Sequence, residues 1–192
     1  MTVERIQQIA RESIETKRAF FESHSARVLE AASMIVGSVK AGGKLLVLGN
    51  GGSAADAQHI AAELVNRLTG DRPPIAAIAL TTDTSILTSI GNDSSFDEVF
   101  ERQVRALGRA GDVVLAISTS GNSPNVLRAV SAARELNIKT IGMTGRSGGK
   151  LAVLADVALV VDAESTQRIQ ETHITIGHVL CELIEESLFP EG

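Results

Sequence analysis

Five short runs of this chain, near residues 44–48, 75–80, 112–117, 138–143 and 156–161, are apolar almost throughout, and helical patterns near 53–68, 84–108, 123–136 and 148–154 lie between them. A strand with one wet face alternates apolar and polar residues, whereas a strand covered on both faces has no need to. Strands of the second kind, each followed by a helix, demand a parallel sheet with helices on both sides. The expected fold is therefore α/β: a doubly wound, five-stranded parallel sheet. Ahead of the first strand, residues 2–40 carry helical periodicity, with Ile6, Ile9, Ile14, Phe20 and Phe21 first and then Val28, Leu29, Ala32, Ile35, Val36 and Val39. That pattern predicts about two helices. A closing helix is predicted over about 166–188. A length of 192 residues suffices for one domain with a sizeable core, expected over 1–192 with residues 1–41 as an N-terminal helical extension within it.

In a doubly wound sheet ligands bind beyond the carboxyl ends of the strands, and two loops at such ends share one design. The run Lys44 to Val47 leads into Gly49-Asn50-Gly51-Gly52-Ser53 and a helix, and Val113 to Ile117 leads into Ser118-Thr119-Ser120-Gly121-Asn122-Ser123 and another. A buried strand that turns through glycines and hydroxyls into a helix N-terminus gathers free backbone N–H groups and the positive end of the helix dipole. Either loop alone also reads as ordinary turn chemistry. Two in one small α/β chain point to a phosphorylated ligand. The first loop also fits the dinucleotide fingerprint, as Gly49-x-Gly51-x-x-Ala54. That fingerprint wants an acidic residue about 20 positions on, at the end of the next strand. Asp71 precedes the strand and Asp83 lies too far along. The hydroxyls of Ser118, Thr119, Ser120 and Ser123 suit a sugar phosphate better.

The remaining polar chemistry gathers on two helices. His59 and Glu63 are spaced i, i+4 on the helix that starts at the glycine loop, so their heads can meet. Such a pair serves as a metal or acid–base couple, and it is also common on exposed helix surfaces. On the closing helix Gln170, His173 and Gly177 fall along one stripe, with His178 offset by about 80°. Polar Gln170, Glu171, His173 and His178 alternate there with Ile169, Ile174, Ile176, Val179 and Leu180. This helix is too polar to be wholly buried and too apolar to be wholly exposed, so it is expected to border a cavity or a subunit interface. His24, in Glu22-Ser23-His24-Ser25 between the first two predicted helices, is expected to cap or to face solvent. The lone Cys181 lies among Val179, Leu180, Leu183 and Ile184 and reads as core packing.

Charge and hydropathy narrow the partners. A net charge of -5 with a pI near 5.4 argues against broad binding to nucleic acid or anionic membranes, so an anionic substrate has to be held by local donors. No apolar run reaches a membrane span, and Met1-Thr2-Val3-Glu4-Arg5 lacks the layout of a secretory signal. A cytoplasmic location is expected.

Together these residues resemble the sugar isomerase (SIS) domain family over nearly the whole chain. The resemblance rests on the N-terminal helices, the glycine loop, the His59/Glu63 helix, Gly91-Asn92-Asp93, the serine loop, and Arg168-Ile169-Gln170-Glu171 followed by His178. The serine loop alone marks the family. The set His59, Glu63, Gln170 and His178 is more specific, and looks like the metal and catalytic set of members that isomerise phosphorylated heptoses. What the resemblance implies is conversion of sedoheptulose 7-phosphate to D-glycero-D-manno-heptose 7-phosphate, a step feeding bacterial surface polysaccharide, in a homotetramer with one Zn²⁺ per subunit and active sites near subunit interfaces. It implies His59, Glu63, Gln170 and His178 as zinc ligands. It places the phosphate on Ser118, Thr119, Ser120 and Ser123, with Asn50, Gly51, Gly52 and Ser53 lining the sugar and phosphate region. Glu63, Gln170, Asn92 and Asp93 complete the substrate contacts. Where some members carry an acidic residue shortly before the glutamine, this chain has Thr166-Gln167-Arg168, and its nearest upstream carboxylate is Glu164.

Aldose–ketose conversion through an enediol needs one base that carries a proton between adjacent carbons and a partner that moves protons on the two oxygens. Glu63 is the candidate carbon base and His178 the oxygen acid–base, with zinc to polarise the carbonyl. One geometric demand stands out: Gln170 and His178 are about 12 Å apart along a helix, so both reach one metal only if it lies between them or if neighbouring subunits share ligands. The alternative is a non-enzymatic SIS adaptor of the bacterial replication initiator, which the chain resembles in Asp97-Glu98-Val99, Gln103-Val104-Arg105-Ala106-Leu107 and Leu188-Phe189-Pro190. Those adaptors lack the counterparts of Glu63 and His178, and this chain has both.

Overall fold

A computed structural model describes residues 1–68 and 71–190. In chain order the elements are α1 (Val3–Lys40), β1 (Leu45–Gly49), α2 (Gly52–Val65), β2 (Ala77–Ala79), α3 (Thr84–Asp93), a 3-10 turn (Phe96–Glu98), α4 (Val99–Leu107), β3 (Val113–Ser118), α5 (Pro124–Glu135), β4 (Lys139–Gly145), α6 (Gly149–Leu154), β5 (Val157–Val161) and α7 (Thr166–Leu188). The five strands form one parallel sheet in the order β2-β1-β3-β4-β5. From β1 the chain moves outward in one direction to β2, and from β3 it moves in the other to β4 and β5. The direction reverses between β1 and β3, which pair in register from Leu45↔Val113 to Gly49↔Ile117. Both predicted phosphate loops therefore leave the sheet side by side at its topological switch point, where doubly wound folds bind ligands.

The apolar runs have a simple cause. In β1, Leu45 and Val47 enter a core shared with α1, α2 and α7, while Leu46 and Leu48 enter a second core shared with α4, α5 and α6. Successive side chains of a strand point to opposite faces, so a sheet covered on both sides needs apolar residues at every position. All five residues of β1 and all six of β3 are buried.

Two helix predictions are corrected. Residues 3–40 form one continuous helix of 38 residues. The Ser23-His24-Ser25 segment does not break it, because the serine hydroxyls donate back to carbonyls one turn earlier, Ser23 to Ala19 at 2.8 Å and Ser25 to Phe21 at 2.5 Å. His24 neither caps a helix nor turns wholly to solvent, but stacks on the Phe20 ring at 4.9 Å. The pattern over 84–108 is in turn split at Ser94 and Ser95, the latter accepting from Asp97 N–H at 3.1 Å to start the 3-10 turn. The later half of α1 buries Phe20, Val28, Ala31, Ala32 and Ile35, whereas Val3, Ile6 and Ile14 of its first half are 64%, 68% and 65% exposed. Among the described residues no helix is long and apolar enough to cross a membrane.

Candidate active site

The glycine and serine loops are tied together by a residue that sequence reading missed. Asn125, buried at the start of α5, exchanges two amide hydrogen bonds with Asn50, each 2.9 Å. Its only sequence signal was a polar residue among the apolar positions of a helix. Gly51 enters α2 at φ +57°, and no side chain caps that helix. Ser123 stands at the cap position of α5 without capping it, since its hydroxyl lies 3.0 Å from that of Ser118. Neither N-cap residue, Gly51 or Ser123, thus caps its helix with a side chain, and in α5 Asn125 Oδ1 instead accepts from Val126 N–H at 2.9 Å. The two helix N-termini lie beside each other, and that end of a helix attracts an anion. Gly121, at φ +64°, lies so close to the Gly148 carbonyl that a Cβ would collide with it. The serine loop is further held by Asn122 Oδ1, which accepts from Lys150 N–H at 3.1 Å, and by the Ser120 hydroxyl, which accepts from Asn122 N–H at 3.2 Å.

Beyond this cradle, α2 and α7 pack with their directions matched. Gly52 meets Gln170 so closely that a Cβ there would overlap the amide, and Ile60 fills the place that a side chain on Gly177 would occupy. The next residue after Gly177 is His178, and the close approach carries its imidazole to His59, with ring centroids 4.9 Å apart at 81°. His59 Nε2 is 3.0 Å from Glu63 Oε1 and 3.5 Å from His178 Nε2. One ligand atom from each of His59, Glu63 and His178 lies within 4.8 Å of the others. Two imidazoles and a carboxylate at this separation are a donor set that suits zinc and leaves room for a further ligand. The site is accessible, with His59 exposed and the other two half-buried.

Gln170 faces the glycine loop, two turns before His178. Asn92 and Asp93 end α3, exposed and bonded to each other at 2.7 Å, on a helix that packs chiefly against the 3-10 turn and α4. The two acids considered for a dinucleotide are otherwise engaged. Asp83 caps α3 by accepting from Ile86 N–H at 2.9 Å, and Asp71 pairs with Arg67 at 3.5 Å.

Three further residues lie on or against the helices that carry the cluster. Arg72, buried, donates to the carbonyls of Glu63 at 2.8 Å and Leu64 at 2.9 Å and pairs with Glu185 of α7 at 2.6 Å. It thereby ties the last turn of α2, which carries Glu63, to the helix that carries His178. His173 is wholly buried with Nε2 3.1 Å from the Thr144 carbonyl, and burial lowers its pKa to about 4. Cys181 is buried as expected, and burial pushes its thiol up to about 12, which makes it inert at neutral pH.

The chain belongs to the SIS domain family, whose pattern matches residues 8–145. Within that family its similarity is to phosphoheptose isomerases. It is 55% identical over 184 residues to the phosphoheptose isomerase of Aquifex aeolicus, covering 96% of each chain. The structure of a phosphoheptose isomerase from Neisseria gonorrhoeae matches with a TM-score of 0.90 and 49% identity, over 95% of this chain and 98% of that one. Another from Francisella tularensis matches with a TM-score of 0.93 and 39% identity, over 97% and 100%.

Proposed function

We propose that this chain is an isomerase that converts sedoheptulose 7-phosphate to D-glycero-D-manno-heptose 7-phosphate through an enediol. The observation that carries the reading is the meeting of His59, Glu63 and His178 beside the two loops at the sheet's switch point. Ser118, Thr119, Ser120 and Ser123 hold the phosphate, and Asn50, Gly51, Gly52, Ser53 and Gln170 line the path from it to the cluster. Glu63 takes the proton from C1 and returns it to C2, while His178 moves protons between O1 and O2. His59, Glu63 and His178 are the zinc ligands in this reading, with Gln170 as the fourth. Zinc, when bound, polarises the substrate carbonyl and stabilises negative charge on the enediol oxygens.

In this reading the protein is a homotetramer in the cytoplasm; the uncovered Val3, Ile6 and Ile14 stripe of α1 supports self-association. Asn92 and Asp93, at the end of α3, bind sugar hydroxyls in this reading. Nothing in the site favours the adaptor reading, since Glu63 and His178 are both present and close together. The test is incubation of the purified, zinc-supplied protein with sedoheptulose 7-phosphate, followed by NMR. Appearance of an aldoheptose phosphate is expected, and an unchanged spectrum would refute the assignment.

A further inference from the structure

The ladder between β1 and β3 ends at Gly49↔Ile117. Asn50 follows Gly49, and past the end of the ladder its side chain joins that of Asn125, the second residue of α5, by two amide hydrogen bonds. Asn125 is only 3% exposed, whereas Asn50 is half-buried. An amide oxygen can accept twice and an amide nitrogen can donate twice. Both places on Asn125 Oδ1 are taken, by Asn50 Nδ2 and by Val126 N–H, each at 2.9 Å. Asn50 keeps one N–H and one lone pair beyond the pair, and being half-buried it can offer them to a ligand.

The Val126 bond gives the pair a direction. A backbone N–H needs an oxygen in front of it, so this bond decides which end of the Asn125 amide is Oδ1. Asn125 in turn decides Asn50. Turning the Asn50 amide over would set N–H against N–H and oxygen against oxygen beside a buried side chain, where unpaired polar groups are costly. The start of α5 thereby fixes the orientation of a side chain in the glycine loop.

We propose that Asn125 is a positioning residue for the sugar part of the substrate: through Asn50 it holds one donor and one acceptor in a single orientation, at a set distance from the serine loop. The inference rests on the proposed isomerase reading, in which the serine loop holds the phosphate and Asn50 lines the path toward Glu63 and His178. Inorganic phosphate needs only the serine loop. A sugar phosphate spans both loops, so Asn125 should matter for the second ligand and not for the first.

The test uses the full-length protein with Asn125→Ala or Asn125→Ser, each made alone and together with Asn50→Ala. The serine keeps a hydroxyl in the first turn of α5 but is too short to pair with Asn50. Affinity for inorganic phosphate is read by ³¹P NMR titration, and kcat and KM are measured with sedoheptulose 7-phosphate. A misplacement of about 1 Å can cost roughly 100-fold in rate, so kcat should fall by about 10- to 100-fold in both variants. Phosphate affinity and KM should stay within about twofold, and either Asn125 substitution should change kcat by no more than about twofold once Asn50 is alanine. A residue that merely supported the serine loop would weaken phosphate binding in parallel, and that result overturns the proposal. An unchanged kcat, or an undiminished further loss in the Asn50→Ala background, overturns it as well, and each of these leaves the isomerase reading intact. Absence of turnover by the unsubstituted protein overturns both.

Discussion

His59 and His178 are 119 residues apart in the chain, and their Nε2 atoms lie 3.5 Å apart in the fold. They meet because α2 and α7 approach closely at Gly177, where a Cβ would come within 2.8 Å of Ile60. Gly177→Ala should therefore push the two helices apart or displace Ile60, destabilising the fold by about 1–3 kcal/mol as overpacking does. Turnover should fall by roughly tenfold or more, since small misplacements of catalytic groups have effects of that order. Adding Ile60→Ala should restore part of both losses. Additive effects in the double variant would mean that the contact does not set the site geometry.

The serine loop is expected to bind the substrate phosphate. Ser120→Asp replaces an exposed hydroxyl with a fixed negative charge at that position, and like-charge juxtaposition costs several kcal/mol. Affinity for sugar phosphates should drop by roughly two orders of magnitude, with only partial relief from added salt. The measurement is direct binding by calorimetry, and unchanged affinity would remove the loop from the site.

Buried His173 predicts a pH dependence of stability. Its pKa is about 4 in the fold against roughly 6.5 for a free histidine, so the unfolded chain binds the extra proton first. Stability from this residue is fully present above pH 6.5 or so and is lost as pH falls toward about 4, by about 3 kcal/mol in all. Denaturant titrations between these limits should show this loss, and His173→Gln should flatten it. An equal slope in the variant would assign the dependence to other groups.

The sheet was legible in the sequence because burial on both faces leaves unbroken apolar runs, clearest in the wholly buried β1 and β3, and the helical patterns between the runs give them a parallel arrangement. The two loops were legible for the same reason, since each glycine or serine cluster begins where such a run ends. The continuity of α1 was not legible: Ser23 and Ser25 read as breakers, and only the backbone hydrogen bonds they make show them accommodated within a helix. The joint at Ser94 and Ser95 was hidden by apolar periodicity that continues across it. Within the site, His59 and Glu63 followed from spacing, but their meeting with His178 depends on how α2 packs on α7. Asn125 and Arg72 act by reaching across elements, Asn125 to Asn50 and Arg72 to Glu185. No local pattern marks residues of that kind.

The central claim is that Glu63 and His178 act in one proton-transfer sequence, and kinetics of Glu63→Gln, His178→Asn and the double variant test it most directly. With zinc content measured in each protein, either single substitution should reduce isomerisation of sedoheptulose 7-phosphate by about 10²- to 10⁴-fold. The double substitution should cost far less than the product of the two, as for residues acting as a unit. Isomerisation by Glu63→Gln at the unsubstituted rate would contradict the account.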